Sequence, residues 1–424
     1  MPAVSSSTTS TGLGAATTSM STKTTSLATT MSLPSPSSSP TTAQSTTTTI
    51  SASSSSFTTA VINTTVPITN NTTTPPTAPA TTTPATIPTT TTTPTTPPAV
   101  QGDTPKENWS VYFGGDTLLT RRVARTANPF ARIRPPLDQA DLTIVNVETA
   151  IATVGKAEVK TFTFRSDLSL PNRLAAAGVD VVSLANNHAI DYGKPAMLET
   201  ITRLRAAKVN PVGAGENLKE ALTPVELTIG GQRVAVLAAS QIIPSASWVA
   251  GRFQAGIASA GKHVIDRNTQ NLLQAVRDAK ATNDVVFVVL HWGIEGDFCP
   301  SGVQRKLGAQ LRAAGATAVL GAHPHVLQPV VVDEGRANSA AQGKGLIAYS
   351  MGNFIWDPRG GASGETGLLE LKFTGADLAG HQFHPHRLDR NGWASAVNPS
   401  SAIGKRISAR TAKPCPGAKG SSGS

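Results

Sequence analysis

The sequence predicts an α/β domain behind a long disordered segment, and three observations carry this prediction. Short apolar runs alternate with helical patterns from about Asn108 onward. Residues 1–105 are dominated by Thr, Ser and Pro, with Lys23 the only charge among the first 100 residues. Metal-ligating and acid–base side chains fall at the C-terminal ends of the predicted strands, where an open α/β sheet gathers its ligands.

The segment 1–105 lacks the apolar residues that would offset the entropy of ordering it, so it is read as a disordered stalk or linker. Its composition fits a mucin-like stalk or an unmodified flexible tail equally well. Sequons at Asn63, Asn70 and Asn71 arise easily by chance in a Thr-rich run.

The elements of the domain follow in order. "WSVYFGGD" (109–116) reads as a strand ending on a Gly-Gly-Asp turn, and "ADLTIVNVET" (140–149) as a second strand. "LPNRLAAAGVDVVSLANNH" (170–188) reads as a short helix with Pro171 in its first turn, stopped by Gly178, then a strand into Asn186–His188. "KPAMLETITRLRAAK" (194–208) is an amphipathic helix, and "VELTIGGQRVAVLAAS" (225–240) a hairpin around Gly230–Gly231. A helix at about 266–281 precedes a buried strand, "DVVFVVLHWG" (284–293), that carries His291. A helix at about 301–314 leads to "TAVLGAHPHVLQPV" (317–330), where a strand ends on two of the chain's eight histidines. Pro324 between them biases His323 toward an extended backbone. "GLIAYSMGNF" (345–354) and "GLLELKF" (367–373) are late strands.

Asp116, Glu148, Asn187, His188, His291, His323 and His325 all lie within a residue or two of a predicted strand end, so one pocket can hold them. Carboxylate, amide and imidazole donors without thiolate suit Zn, Mn, Fe, Mg or Co. Asp116, Glu148, Asn187, His291, His323 and His325 supply six groups, including a carboxylate able to bridge. That inventory fits a two-metal hydrolase better than a closed structural zinc. Taken singly, each has a plainer reading: Asp116 as an Asx-turn residue, Asn187 as a cap, His291 as a core histidine. Glu295 and Asp297 read as solvated loop carboxylates, and Tyr349 and Trp356 as packing residues. No G-x-S-x-G elbow accompanies the serines, and "GAGENLKE" (213–220) lacks the Lys-Ser/Thr of a P-loop.

In order, "GGDTLL", "ADLTIVNVETAI", "SLANNHAIDYG", "VVLHWGIEGD", "LGAHPHVLQP" and "YSMGNFIWD" resemble the successive motifs of the capsule-synthesis CapA family. These poly-gamma-glutamate capsule proteins look like a branch of the calcineurin-like metallophosphoesterases. The resemblance covers about 109–373 and implies a four-layer α/β/β/α sandwich of the metallo-dependent phosphatase type. It implies two divalent ions (Mn, Zn, Fe or Mg) and an anionic polymer, poly-gamma-glutamate or a similar one, as partner beside other capsule-synthesis proteins. By the same resemblance Asp116 is a first-metal carboxylate, Glu148 the bridge, Asn187 a second-metal ligand and His188 the catalytic imidazole. His291, His323 and His325 match the later histidine ligands; Asp191, by its place three residues after His188 and not by a family motif, is placed to orient that imidazole. The chain departs from phosphoesterases where Thr117 and Leu118 follow Asp116 in place of x-His, and where Glu stands at the bridge.

The resulting organisation is a stalk (1–105), a CapA-like metallophosphoesterase-fold domain (106–375) and a basic C-terminal extension (376–424). Net charge is +10, and the excess gathers late: Arg387, Arg390, Lys405, Arg406, Arg410, Lys413 and Lys419 face only Asp389. That tail can attract an anionic polymer or simply be solvated. Basic and aromatic residues do not interleave, which disfavours nucleic acid. No run reaches transmembrane length and no signal peptide is visible, although the stalk suggests an extracellular or bacterial cell-surface protein. Either the true start lies upstream or the protein stays inside. Cys299 and Cys415 are the only cysteines; in an exported protein they are candidates for a bridge from the loop after His291 to the basic tail.

Overall fold

The computed structural model describes residues 107–125, 128–133, 137–261, 265–335, 343–357, 360–413 and 415. The segment 1–105, with its sequons, and Lys419 lie outside the described residues.

Strand β1 (Asn108–Thr117) is central to the first sheet. On one side it runs parallel to β2 (Leu142–Val147), which is followed across the sheet by β3 (Val181–Ser183) and β4 (Asn210–Val212). The short β5 (Ala214–Gly215) leads to the hairpin of β6 (Val225–Ile229) and β7 (Gln232–Ser240), with Ile229 opposite Gln232 as the Gly-Gly turn predicts. Strand β8 (Gly256–Ile257) pairs with β5. Strands β9 (Val285–His291) and β10 (Ala318–Ala322) run parallel to β7. With β11 (Val330–Asp333) and β12 (Gly345–Ala348) they complete a second sheet in the order β11-β12-β10-β9-β7-β6. The chain then returns: β13 (Asn353–Ile355) pairs with β1, and β14 (Glu365–Thr374), β15 (Asp377–Leu388) and β16 (Ala394–Ala396) extend the first sheet beyond it.

Three apolar interfaces separate four layers. Phe113 and Ile144 of the first sheet meet Val236, Phe287 and Leu320 of the second. Helix Gly193–Ala206 covers the outer face of the first sheet, packing Met197, Ile201 and Leu204 with Val145 and Val147. Helices Arg267–Thr282 and Gly302–Ala314 cover the second, through Leu272, Val276, Leu307 and Leu311 against Leu237, Val288 and Val319. This is the expected α/β/β/α sandwich. It explains the unbroken apolar run of β9: Val285, Phe287 and Val289 face the partner sheet while Val286, Val288 and Leu290 face the helices. Helix Gly302–Ala314 is fixed at both ends, by a Ser301/Gln304 capping box and by Gly315 in the left-handed region at φ 117°.

Two sequence-based expectations are changed. The single strand expected at 345–354 is two strands, because Gly352 turns the chain at φ 63° so that β13 can cross to the first sheet. The residues assigned to a basic extension from 376 onward hold β15, paired with β14 from Thr374–Asp377 to Glu365–Arg387, together with β16 and helix Ala402–Ala412. Arg406 and Arg410 of that helix bond Glu365 at 2.9 and 3.4 Å, and a disulfide joins Cys299 to Cys415. Part of the late positive charge is thus spent inside the fold.

Candidate metal centre

The C-terminal ends of β1, β2, β3, β9 and β10 converge, and every residue singled out at a strand end is found there. Asp116 closes β1, Glu148 follows β2, Asn187 and His188 follow β3, His291 ends β9, and His323 and His325 follow β10. Asp116, Glu148 and His291 are 0% exposed.

The two glycines before Asp116 are required by close approach. A Cβ on Gly115 would lie 1.8 Å from the Gly352 carbonyl oxygen. That same carbonyl accepts the Asp116 N–H at 2.9 Å, so the β1–β13 crossing sets where the carboxylate points. Asp116 Oδ1 accepts from Asn146 Nδ2 at 2.8 Å, and Oδ2 accepts from the His323 N–H at 3.2 Å. His325 Nδ1 stands 3.1 Å from Asp116 Oδ2 and 2.8 Å from Asn353 Oδ1. Burial pushes the Asp116 carboxyl up, but His325, Asn146 and the His323 N–H together hold it below its usual range.

Glu148 is different in kind. Neither of its oxygens has a hydrogen-bond partner, although both are buried. Its Oε1 faces three imidazole Nε2 atoms, 3.5 Å from His291, 3.8 Å from His188 and 3.9 Å from His325. These separations are too long for hydrogen bonds. The 3.5 Å between Glu148 Oε1 and His291 Nε2 matches two donors on one ion, since ligands at about 2.0–2.2 Å in a tetrahedral shell stand roughly 3.3–3.6 Å apart. Burial first, then the Asp116 charge and that of Glu295, push the Glu148 carboxyl well above its usual range. His323 Nδ1 is likewise buried without a partner. A buried carboxylate with both oxygens unpaired is costly, and a cation is what relieves it.

The donor atoms form three overlapping groups, each with its members within 4.8 Å of one another: Glu148, His291 and His323; Asp116, Glu148 and His325; and Glu295, His323 and His325. Glu148 belongs to the first two, as a bridging carboxylate would. Asn187 Oδ1 lies 2.7 Å from His291 Nε2, which puts it beside the first group. The residues present therefore fit divalent metal.

Burial, with the charges of His323 and His325, drives His291 far below the usual imidazole range. Burial and then the charge of His325 push His323 down to about 3. Both are neutral and ready to donate lone pairs. His188 is also lowered by burial, against the pull of Asp191. Asp191 Oδ2 is 2.7 Å from His188 Nδ1 and also accepts the Phe164 N–H at 2.6 Å. Its other oxygen takes Lys160 Nζ at 2.7 Å. A cavity of about 180 Å³ opens beside these groups, lined by His188, His325, Glu295, Asn353, Phe164 and Trp356.

One expectation about the His-Pro-His turn fails. His323 is not extended: its φ is 97°, and that of His325 is 55°. Among the described residues only one other non-glycine, Lys208, has positive φ. Such backbones cost about 1–3 kcal/mol each and persist where the surroundings impose them. Here the His323 N–H is held on Asp116, and its ring lies 4.7 Å from that of His291.

Sequence reasoning missed Asn146, Lys160 and Asn353 as parts of this network. Asn146 carried a signal, a polar residue inside the apolar run "LTIVNV", and it accepts from Asn186 Nδ2 at 3.2 Å while donating to Asp116. Lys160 comes from an irregular polar loop and carried none. Tyr349 packs in the core against Trp292 as expected, whereas Trp356 both packs and lines the cavity, 4.6 Å from the His325 ring. Leu118, where an imidazole would stand in the phosphoesterases, is buried in the core. No helix among the described residues is long and apolar enough to cross a membrane.

A family model described as bacterial capsule synthesis protein PGA_cap matches residues 110–358, which include every residue of this centre. The chain is 31% identical over 253 residues to a capsule biosynthesis protein CapA of Bacillus anthracis, covering 57% of this chain and 58% of that protein. It is 27% identical over 274 residues to a PGA biosynthesis protein CapA of Bacillus subtilis, covering 61% of this chain and 68% of the relative. A probable polyglutamine synthesis accessory protein of Mycobacterium tuberculosis is 27% identical over 241 residues, 55% of this chain and 60% of its own length. The chain thus spans less than two thirds of the Bacillus anthracis and Mycobacterium tuberculosis relatives. With more than half of its length matched by that model, the chain belongs to the bacterial capsule synthesis protein family PGA_cap.

Proposed function

We propose that this chain acts in the biosynthesis, export or anchoring of poly-gamma-glutamate or a similar anionic capsule polymer, at the bacterial cell surface, through a two-metal site. The observation that carries the metal part is Glu148, buried with both oxygens unpaired amid three imidazoles. Family membership supports the polymer.

In this reading Asp116, Glu148 and His325 would hold one ion, and Glu148, Asn187, His291 and His323 would hold the other. Divalent ions supply Lewis-acid polarisation of a carbonyl or phosphoryl oxygen. The chain's own residues do the rest. Asp191 accepts the Nδ1 proton of His188, which leaves Nε2 facing Glu148 and the cavity. Bare Nε2 takes a proton from a group in the cavity, or returns one to a leaving group once charged. Lys160 neutralises the second oxygen of Asp191 and donates to the Asn187 carbonyl at 2.6 Å, which fixes the loop bearing both residues. Phe164, 4.3 Å from the His188 ring, and Trp356 exclude water from one wall.

A second reading, a polyanion-binding module without turnover, draws on one observation: Leu118 leaves the site one imidazole short. The test is to offer the full chain poly-gamma-glutamate and a generic phosphodiester side by side, with Mn or Zn added. Cleavage of the polymer, lowered about 10²–10⁴-fold in His188→Ala, supports the enzyme. Retention of the polymer without turnover supports the binding module. Cleavage of the phosphodiester alone, with no affinity for the polymer, refutes the capsule role.

A further inference from the structure

We propose that Glu295 is a metal ligand, supplying a carboxylate beside His323 and His325 in a site that Leu118 leaves one imidazole short. The inference rests on the two-metal reading above and adds to it a residue that the motif pattern does not assign. By sequence Glu295 is a solvated loop carboxylate, and its residue is indeed exposed. Its surroundings say more. A carboxylate oxygen of Glu295 and a ring nitrogen of each of His323 and His325 lie within 4.8 Å of one another.

The backbone explains why Glu295 is there. The loop leaving β9 turns through Gly293 at φ 93° and Gly296 at φ 79°, left-handed conformations that favour glycine. The Gly296 N–H donates to the Pro324 carbonyl at 2.9 Å, in the middle of the His-Pro-His turn. Two bracketing glycines and one hydrogen bond to the turn thus lay Glu295 across the two histidines. Gln328 Nε2 holds the same loop through the Asp297 carbonyl at 2.8 Å. Glu295 and Asn353 both line the cavity with His325.

The charges agree. Asp116 and Glu148 offset two of the four positive charges that two divalent ions bring, and Glu295 offsets a third, beside neutral imidazoles. Glu295 brings the centre to three carboxylates, and a carboxylate is a harder donor that suits Mn or Mg better than nitrogen does.

The test strips the full chain with a chelator and titrates Mn²⁺ by calorimetry, with metal content measured after desalting. Wild type is expected to take two ions. Even outer-shell changes typically cost about 10–100-fold in metal affinity. Glu295→Gln is therefore expected to weaken one ion by at least that much and leave the other near wild type, and Glu295→Asp to recover part of the loss. Asp297→Asn, two residues along the same loop, should bind as wild type does. The metal-free variants are checked for wild-type melting temperature, which an exposed side chain should not disturb. Two ions held by Glu295→Gln with wild-type affinity would overturn this inference alone. A wild type that binds no metal would overturn it together with the two-metal reading.

Discussion

Replacing Glu148 by Gln should change the sign of its effect on stability according to whether metal is present. Without metal, the wild-type carboxylate is buried with both oxygens unpaired, 3.5 Å from the nearest imidazole nitrogen. Leaving such a group unsatisfied costs about 1–3 kcal/mol, more if it is charged. The amide of Gln is nearly isosteric and uncharged, and its NH₂ can donate to the neighbouring Asp116 carboxylate. Metal-free Glu148→Gln should therefore be about 1–3 kcal/mol more stable than metal-free wild type. With Mn²⁺ at about 1,000 times its Kd the order reverses, because such a ligand stabilises the wild type by about 4.1 kcal/mol. The variant, having lost the bridging charge, should gain little. Denaturant melts of both proteins, with chelator and with metal, give all four values. A variant destabilised equally in both conditions would refute the reasoning, since Glu148 would then be an ordinary structural carboxylate.

Other consequences follow from the same geometry. Gly115→Ala should destabilise the fold by about 1–3 kcal/mol or more in a denaturant melt, because its Cβ would meet the Gly352 carbonyl at 1.8 Å; a neutral substitution would mean that the β1–β13 crossing is not tight. Metal affinity should rise with pH, by up to about tenfold per unit for each competing proton, as Glu148 and His325 lose theirs. Affinity that is flat across the acid-to-neutral range would contradict this. In the metal-free chain the raised Glu148 contributes stability that is full below its ordinary 4.5 and is lost as pH rises through its raised value. His323, pushed down to about 3, does the reverse: its contribution is present above 6.5 and is lost as pH falls toward 3. Cys415→Ser, opening a bridge across 116 residues, should cost about 2–5 kcal/mol by thermal or chemical melt; an unchanged melt would show that the bridge adds nothing.

The layers were legible because buried parallel strands must be apolar on both faces, and "DVVFVVLHWG" shows this without ambiguity. The strand ends were legible because polar ligands interrupt those runs abruptly, as at Asp116, His291 and His323. What sequence did not reveal depends on contacts between distant segments. Lys160 reaches Asp191 from a loop without periodicity, and the loop bearing Glu295 is placed by hydrogen bonds to the Pro324 and Asp297 carbonyls from Gly296 and Gln328. The twisted backbone of His323 reverses a local proline preference, since the bond to Asp116 lies 207 residues away in the chain. Strand β15 was read as a basic tail because, paired by β16 only over His386–Leu388, it tolerates the polar run "DLAGHQFHPHRL".

The central claim is that the strand-end residues hold metal, and metal content of the purified full chain tests it most directly. Plasma mass spectrometry on wild type, His323→Ala, His325→Ala and His188→Ala separates ligands from a side chain that serves the substrate. The account predicts about two ions per chain in wild type, by the two-metal pattern, fewer in both His323→Ala and His325→Ala, and near-normal content in His188→Ala. Full metal content in all three variants would contradict it and make the His-Pro-His turn a structural device.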